Sequence, residues 1–240
     1  MIWQILFFAG IFFILYTYAG YSLFVYILLK IRNIFTSKKE SFEDSGFEPP
    51  VTLVIAAFNE EDFVATKIKN SLELDYPADK LEIIFVTDGS TDRTVQIVAA
   101  NPRVTLQHSD ARRGKIAAIH RVMPKITNPI TIFSDANTLL NKDAVRNIVR
   151  HYADQNIGAV SGEKKVIAAD TSDSNGEGAY WKYESALKQI DSDFYTVVGA
   201  AGELFSLRTE LYTYPGDNVL LDDFILSMRI CEKGYRVVYE

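Results

Sequence analysis

The sequence predicts an α/β fold: a mostly parallel sheet with helices on both faces, preceded by one N-terminal transmembrane helix. Three features carry the prediction. Short apolar runs recur from Val51 onward, separated by segments of helical periodicity, the alternation expected of strands joined by crossover helices. Clusters of Asp, Asn, Gly and basic residues directly follow several of those runs, at the strand ends where ligands bind in such sheets. Finally, Ile2 to Leu29 contains no charged side chain.

The N-terminal apolar run comes first. At about 1.5 Å per residue it extends roughly 40 Å, enough to span a hydrocarbon core of ~30 Å with tilt. Trp3 stands near one end, as interfacial aromatics do. A cleaved signal peptide fits less well, because no basic segment precedes the run and the run is longer than a signal's apolar core. Lys30, Arg32, Lys38 and Lys39 follow at once, so the positive-inside rule places the rest of the chain in the cytoplasm. The expected organisation is a transmembrane helix at 1–30, a juxtamembrane tether at 31–49 and a folded domain at 50–240. The chain would be single-pass in the cell (inner) membrane.

From Pro50 the elements alternate. Val51 to Ala56 reads as a buried strand, and Asn59 with Glu60, Glu61 and Asp62 opens a helix running to about Leu74. Leu81 to Val86 is a second strand, turned by Asp88-Gly89-Ser90 into a helix from Thr91 to Ala100. Val104 to Leu106 is a short strand, Lys115 to Val122 a helix, Ile130 to Phe133 a strand, Lys142 to Tyr152 a helix, and Ile157 to Val160 a fifth strand. Beyond Gly162 the rhythm breaks. Ala168 to Gly178 reads as a mobile loop and Tyr180 to Ile190 as an amphipathic helix. After Gly199-Ala200-Ala201-Gly202 come a strand at Glu203 to Leu207, a helix from Asp222 to Lys233, and a strand at Tyr235 to Tyr239.

Bulk composition narrows the function. The 240 residues are 48% hydrophobic, which is ordinary for a folded chain, and the net charge of −6 lacks the basic footprint of a nucleic-acid binder. Cys231 is the single cysteine, which excludes an internal disulfide and a cysteine-type zinc site. Neither G-x-x-x-x-G-K-[ST] nor a post-strand G-x-G-x-x-G occurs, so phosphates must be handled by side chains and metal.

Four polar clusters follow strand ends: Asn59-Glu60, Asp88-Gly89-Ser90, Ala111 to Lys115, and Asp135-Ala136-Asn137. Each alone has a plain explanation as helix-terminus charge, turn chemistry, solvated loop or N-cap. Their shared position is the signal, since strand ends of a parallel sheet converge on one crevice. Lys115 and the neighbouring arginines suit phosphate oxygens, and Asp135 suits Mg²⁺ or Mn²⁺ with phosphates completing the shell. Asp222-Asp223, at the start of a helix, reads either as an N-cap or as a general base that takes the proton of an attacking hydroxyl.

Taken together, these residues resemble family 2 glycosyltransferases, in particular the membrane-anchored, polysaccharide-synthase-like members with a GT-A fold. The matching pieces, in order, are I-A-A-F-N-E-E from Ile55, V-T-D-G-S-T-D from Val86, A-R-R-G-K from Ala111, S-D-A-N-T from Ser134, V-S-G-E from Val160, Y-W-K-Y-E from Tyr180, G-A-A-G-E-L-F-S-L-R from Gly199 and L-D-D-F-I-L from Leu221. The resemblance implies that Ala57, Glu60 and Asp88 bind base and ribose, that Lys115 binds the diphosphate, and that Asp135 begins the D-x-D element at the metal. Asp223 would correspond to the base, with Asp222 beside it. Gly202 would line the acceptor side, and Trp181 belongs either to that wall or to the core. Asn137 replaces the second carboxylate of D-x-D, and either serves the metal as a neutral oxygen ligand or contacts the sugar. The Q-x-x-R-W element and C-terminal membrane helices of relatives lie outside the 240 residues, which suggests a truncated domain.

The activity implied is an inverting, metal-dependent transfer of a sugar from a nucleotide donor, a UDP-sugar first, to a carbohydrate or lipid-linked acceptor at the membrane. Two other readings stay open: a non-catalytic, membrane-tethered nucleotide-sugar binding module, and a sugar-phosphate nucleotidyltransferase. The second leaves the membrane helix and Asp222-Asp223 unexplained.

Overall fold

The computed structural model describes residues 1–35, 46–164, 174–200, 202–216, 219 and 221–240. The chain divides into two compact units, Met1–Ser41 with Lys165–Val197, and Phe42–Lys164 with Val198–Glu240.

The first unit is helical. Ile2–Leu15 (α1) and Tyr21–Phe35 (α2) join through a π-helical turn at Tyr16–Gly20, giving one 34-residue helix long and apolar enough to cross a membrane. The helix thus continues five residues past Lys30. Every side chain of α1 is at least partly exposed, which suits a segment that is apolar all round and would face lipid in a membrane. α2 differs, because it buries Val25 and Leu29 and runs beside Ser174–Phe194 (α7). The hydroxyl of Tyr21 donates to Asp191 at 2.9 Å, and that of Tyr183 donates to the carbonyl of Tyr18 at 2.5 Å. α7 begins inside the stretch expected to be a loop, converting residues 174–178 to helix, while 165–173 lie outside the described residues.

The second unit is a seven-stranded sheet in the order β3-β2-β1-β4-β6-β5-β7. Its strands are Val51–Ala57 (β1), Leu81–Asp88 (β2), Thr105–Ser109 (β3), Ile130–Asp135 (β4), Ile157–Ser161 (β5), Leu204–Arg208 (β6) and Arg236–Tyr239 (β7). β1 pairs in parallel with β2 and β4, and β2 with β3. β6 runs antiparallel between β4 and β5, so the sheet is mixed on one side of β4. The helices are Val64–Leu72 (α3), Thr94–Ala99 (α4), Lys115–Val122 (α5), Ala144–Val149 (α6) and Asp222–Glu232 (α8). Several are shorter than their periodicity suggested, because the residues before them are spent on loop hydrogen bonds.

Both sheet faces are covered, as long apolar strands require. Val51, Leu53 and Ile55 of β1 pack with Ile83 and Phe85 of β2, Val64 and Ile68 of α3, and Val145, Ile148 and Val149 of α6 in one buried cluster. Val54, Ile84 and Val86 point the other way and are equally buried, on the face where α5 lies against β1 and β2. Register then sets the site: Ala56 pairs with Asp135 and Ala57 with Thr87, while Asp88 pairs with Ser109. The C-terminal ends of β1, β2, β3 and β4 therefore stop along one edge.

Candidate active site

The loops after β1 and β2 lock together at that edge. Asn59 adopts φ of +51°, a left-handed conformation that Asn tolerates better than most residues. Its Oδ1 accepts from the Thr91 N–H at 2.9 Å, and the Glu60 N–H donates to Thr94 Oγ1 at 2.8 Å. The Glu61 N–H donates to Asp92 Oδ2 at 3.0 Å, and the Arg93 N–H returns a bond to Glu61 Oε2 at 3.1 Å. This lacing leaves Glu60 partly buried, with its carboxyl raised above the usual range by burial and by the charges of Asp135 and Asp92. Ala57, at the end of β1, is buried.

Asp88 organises the basic loop. Its Oδ2 accepts from the backbone N–H groups of Arg113 at 2.6 Å and Gly114 at 2.7 Å, and its Oδ1 lies 3.4 Å from the Arg121 guanidinium. The loop passes so close to the turn after β2 that a Cβ on Gly89 would meet the Cβ of Arg112 at 2.8 Å; Gly89 also sits at φ +69°, where only glycine is at ease. The Arg112 guanidinium lies 3.7 Å from the centroid of the Phe58 ring, a cation–π contact that ties the basic loop to the loop after β1.

Lys115, the first residue of α5, joins the two halves of the site. Its Nζ stands 2.5 Å from Asp135 Oδ1 and donates to the Gly202 carbonyl at 3.3 Å. On the far side, a Cβ on Gly202 would stand 3.2 Å from Asp223 Oδ2. Lys115, Ile116, Ile119, Phe133, Gly202, Phe205, Asp222, Asp223 and Leu226 line an open cleft. The cleft is apolar along α5 and β6 and acidic at the start of α8. Asp223 is half-buried, and burial raises its carboxyl, helped by the charge of Asp222; the Phe224 N–H and the Lys115 ammonium pull the other way. A carboxylate held above its ordinary value is a better proton acceptor, as a base requires.

Thus Asp88, Lys115, Asp135, Gly202, Asp222 and Asp223 form one connected site, with Glu60 close enough to sense Asp135. Asn137 is exposed on the corner after β4. Trp181 is on α7, in the other unit. Asp135 and Asn137 are two hard oxygen donors on an open corner, which suits a cation that takes few protein ligands and completes its shell with phosphate and water. Among the described residues no three His, Cys, Asp or Glu side chains cluster as an all-protein metal cage.

Two participants escaped the sequence reading. Arg121 reaches back from α5 to Asp88 and to the Thr87 carbonyl at 3.0 Å. Lys67 on α3 is fully buried, with Nζ donating to Ser134 Oγ at 2.7 Å and to the Thr138 carbonyl at 2.5 Å. Burial lowers its ammonium to about 7, the Asp135 charge working in the opposite sense. A signal was available, since Val64, Lys67, Ile68 and Ser71 form the buried stripe of α3 at the i, i+3, i+4, i+7 spacing of a core face.

The sequence and the fold both have relatives among known proteins. The sequence matches the profile described as "Glycosyl transferase family 2" over residues 52–213. A beta-monoglucosyldiacylglycerol synthase of Synechocystis is 31% identical over 197 residues, 76% of this chain and 40% of that protein. A poly-beta-1,6-N-acetyl-D-glucosamine synthase of Staphylococcus aureus is 25% identical over 246 residues, 98% of this chain and 58% of that protein. The chain therefore spans between about two fifths and three fifths of the length of these relatives. Among solved structures, the mannosyltransferase PcManGT of Pyrobaculum calidifontis, in complex with GDP-Man and Mn²⁺, superposes with a TM-score of 0.76 at 26% identity, covering 94% of this chain and 64% of that one. S. aureus TarS 1–349 in complex with UDP-GlcNAc gives 0.60 at 15% identity, covering 80% and 56%, a likeness of fold alone. A GT-A sheet, the ordered motifs from Ile55 to Leu226 and the profile match lead to one assignment: the chain belongs to glycosyl transferase family 2.

Proposed function

We propose that the protein transfers a sugar from a nucleotide-sugar donor, a UDP-sugar first, to a hydroxyl of a carbohydrate or lipid-linked acceptor, with inversion at the anomeric carbon. The observation that carries the reading is the double contact of Lys115, whose Nζ touches both Asp135 and the carbonyl of Gly202, which itself abuts Asp223. One cation thereby joins the strand end that suits a diphosphate to the carboxylate that suits an acceptor hydroxyl.

In this reading Ala57 and Glu60 line the base and ribose end, and Asp88 serves it by holding the Arg112 to Lys115 loop in place. The Asp223 carboxylate takes the acceptor hydroxyl proton. The acceptor oxygen bonds to the anomeric carbon from the side opposite the phosphate, and the bond from that carbon to the phosphate oxygen breaks. The nucleoside diphosphate leaves with the bonding pair. Lys115 neutralises the charge gathering on those oxygens from a fixed position, so little reorganisation is needed as the charge develops. Mg²⁺ or Mn²⁺, held by Asp135 with Asn137, would supply further Lewis-acid compensation to the same oxygens. Asp222 sustains the raised carboxyl of Asp223 and borders the acceptor cleft with Gly202.

The apolar N-terminal helix supports tethering to the cell (inner) membrane, and the basic residues after it support a cytoplasmic site. The test is release of nucleoside diphosphate from UDP-sugars, with GDP-sugars as comparison, in the presence and absence of diacylglycerol and oligosaccharide acceptors. Acceptor-stimulated release is expected. Donor binding without release would instead identify a binding module, and pyrophosphate formed from nucleoside triphosphate would identify a nucleotidyltransferase.

A further inference from the structure

A lysine in the core stripe of a helix demands an account. Lys67 has no exposed surface, and an ammonium without good acceptors in that position costs far more than the methionine or leucine that would fill the same volume. Its acceptors lie at the two ends of a single corner. Ser134 is the last residue but one of β4 and Thr138 follows Asn137, so the two contacts of 2.7 and 2.5 Å bracket the segment that presents Asp135 and Asn137.

Apart from the Lys115 contact to the Asp135 carboxylate, the corner has few other holds. The Ala136 N–H donates to the Ala56 carbonyl at 3.1 Å, extending the β1–β4 ladder by one bond, and the Thr138 N–H reaches the Asp135 carbonyl at 3.3 Å. Ser134 Oγ, which accepts from Lys67, donates in turn to the Asp135 carbonyl at 3.3 Å, so a hydrogen-bonded path runs from the ammonium to the backbone of Asp135. One turn further along α3, Asn70 holds both backbone groups of Leu140, accepting its N–H at 2.9 Å and donating to its carbonyl at 2.8 Å. α3 thus grips the strand exit at three successive points.

We propose that Lys67 is a positioning residue for the donor site: its buried ammonium fixes the distance between Ser134 and Thr138 and so aims Asp135 and Asn137 at the donor phosphates and their cation. It touches no reactant and acts through the corner. This inference depends on Asp135 belonging to the donor site. Groups that orient ligating side chains in this way are worth about 10–100-fold in ligand affinity.

The test uses the full chain in detergent, titrated calorimetrically with UDP in the presence of Mn²⁺, alongside its thermal unfolding. Lys67→Met, which keeps the volume and deletes the donors, is expected to fold and to bind at least tenfold more weakly. Ser134→Ala, which removes one arm only, is expected to lie between Lys67→Met and the unaltered chain. A folded Lys67→Met that binds within twofold of the unaltered chain would overturn the proposal. If Lys67→Met does not fold, Ser134→Ala decides, and unchanged binding there overturns it equally. Asp135→Asn separates the two levels: a loss of binding there with none in Lys67→Met refutes the positioning role alone, whereas unchanged binding in Asp135→Asn removes the donor-site reading itself.

Discussion

A Cβ on Gly202 would stand 3.2 Å from Asp223 Oδ2, so the segment before β6 and the first turn of α8 meet with space for little more than a hydrogen atom. Gly202→Val would force the carboxylate aside or fill the cleft mouth. The expected outcome is a fall in kcat of at least tenfold, about 1.4 kcal/mol of barrier, with UDP affinity unchanged. Steady-state kinetics beside a UDP titration checks the split.

Lys115→Met removes the cation shared by Asp135 and the Gly202 carbonyl. A charge-assisted contact to phosphate is worth roughly 1.5–3 kcal/mol, less where solvent reaches it, and Lys115 is partly exposed. UDP affinity should therefore fall by about tenfold, while uridine, which carries no phosphate, binds as before. Equal loss for both ligands would place Lys115 in the scaffold instead.

The acid limb of the pH–rate profile tests Asp223. Burial and Asp222 hold its carboxyl above the ordinary value of 3.8, so the rate should fall as pH drops through a value displaced upward from it. Asp222→Asn removes one of the raising influences and should move the limb to lower pH. A limb that stays in place would show that the proton acceptor is another group.

Lys67 gives a stability signature. Burial holds its ammonium at about 7, below the ordinary lysine value of 10.5, so between those limits the folded chain holds fewer protons than the unfolded chain. Its contribution to stability is therefore fully present only above pH 10.5 and is lost as pH falls to 7. Lys67→Met should flatten that slope in a series of unfolding measurements from pH 7 to 10. A slope identical in both proteins would show that Lys67 does not titrate in this range.

Much of this was legible in the residues, and the part that was not has physical reasons. Buried parallel strands are continuous apolar runs, so Val51–Ala56, Leu81–Val86 and Ile130–Phe133 read as strands, each one or two residues short of its observed end, and the polar residues after such runs pick out Lys115 and Asp135. The insertion of β6 between β4 and β5 could not be read, because strand neighbours leave no periodicity in the chain. Asp88 was readable as a site residue, but the spending of its carboxylate on the Arg113 and Gly114 N–H groups depends on a fold that brings distant loops together. A lysine in a helix is normally solvated, so only the positions of Val64, Ile68 and Ser71 mark Lys67 as buried. Residues 174–178 extend α7 although their two glycines, with Ser174 and Asn175, favour a loop by composition.

The role of Asp223 as the base is tested by comparing Asp223→Asn with the unaltered chain in one preparation, measuring UDP binding and acceptor-dependent UDP release together. UDP binding should stay within about threefold while transfer falls at least 100-fold, the scale set by general-base catalysis. Full turnover by Asp223→Asn would contradict it.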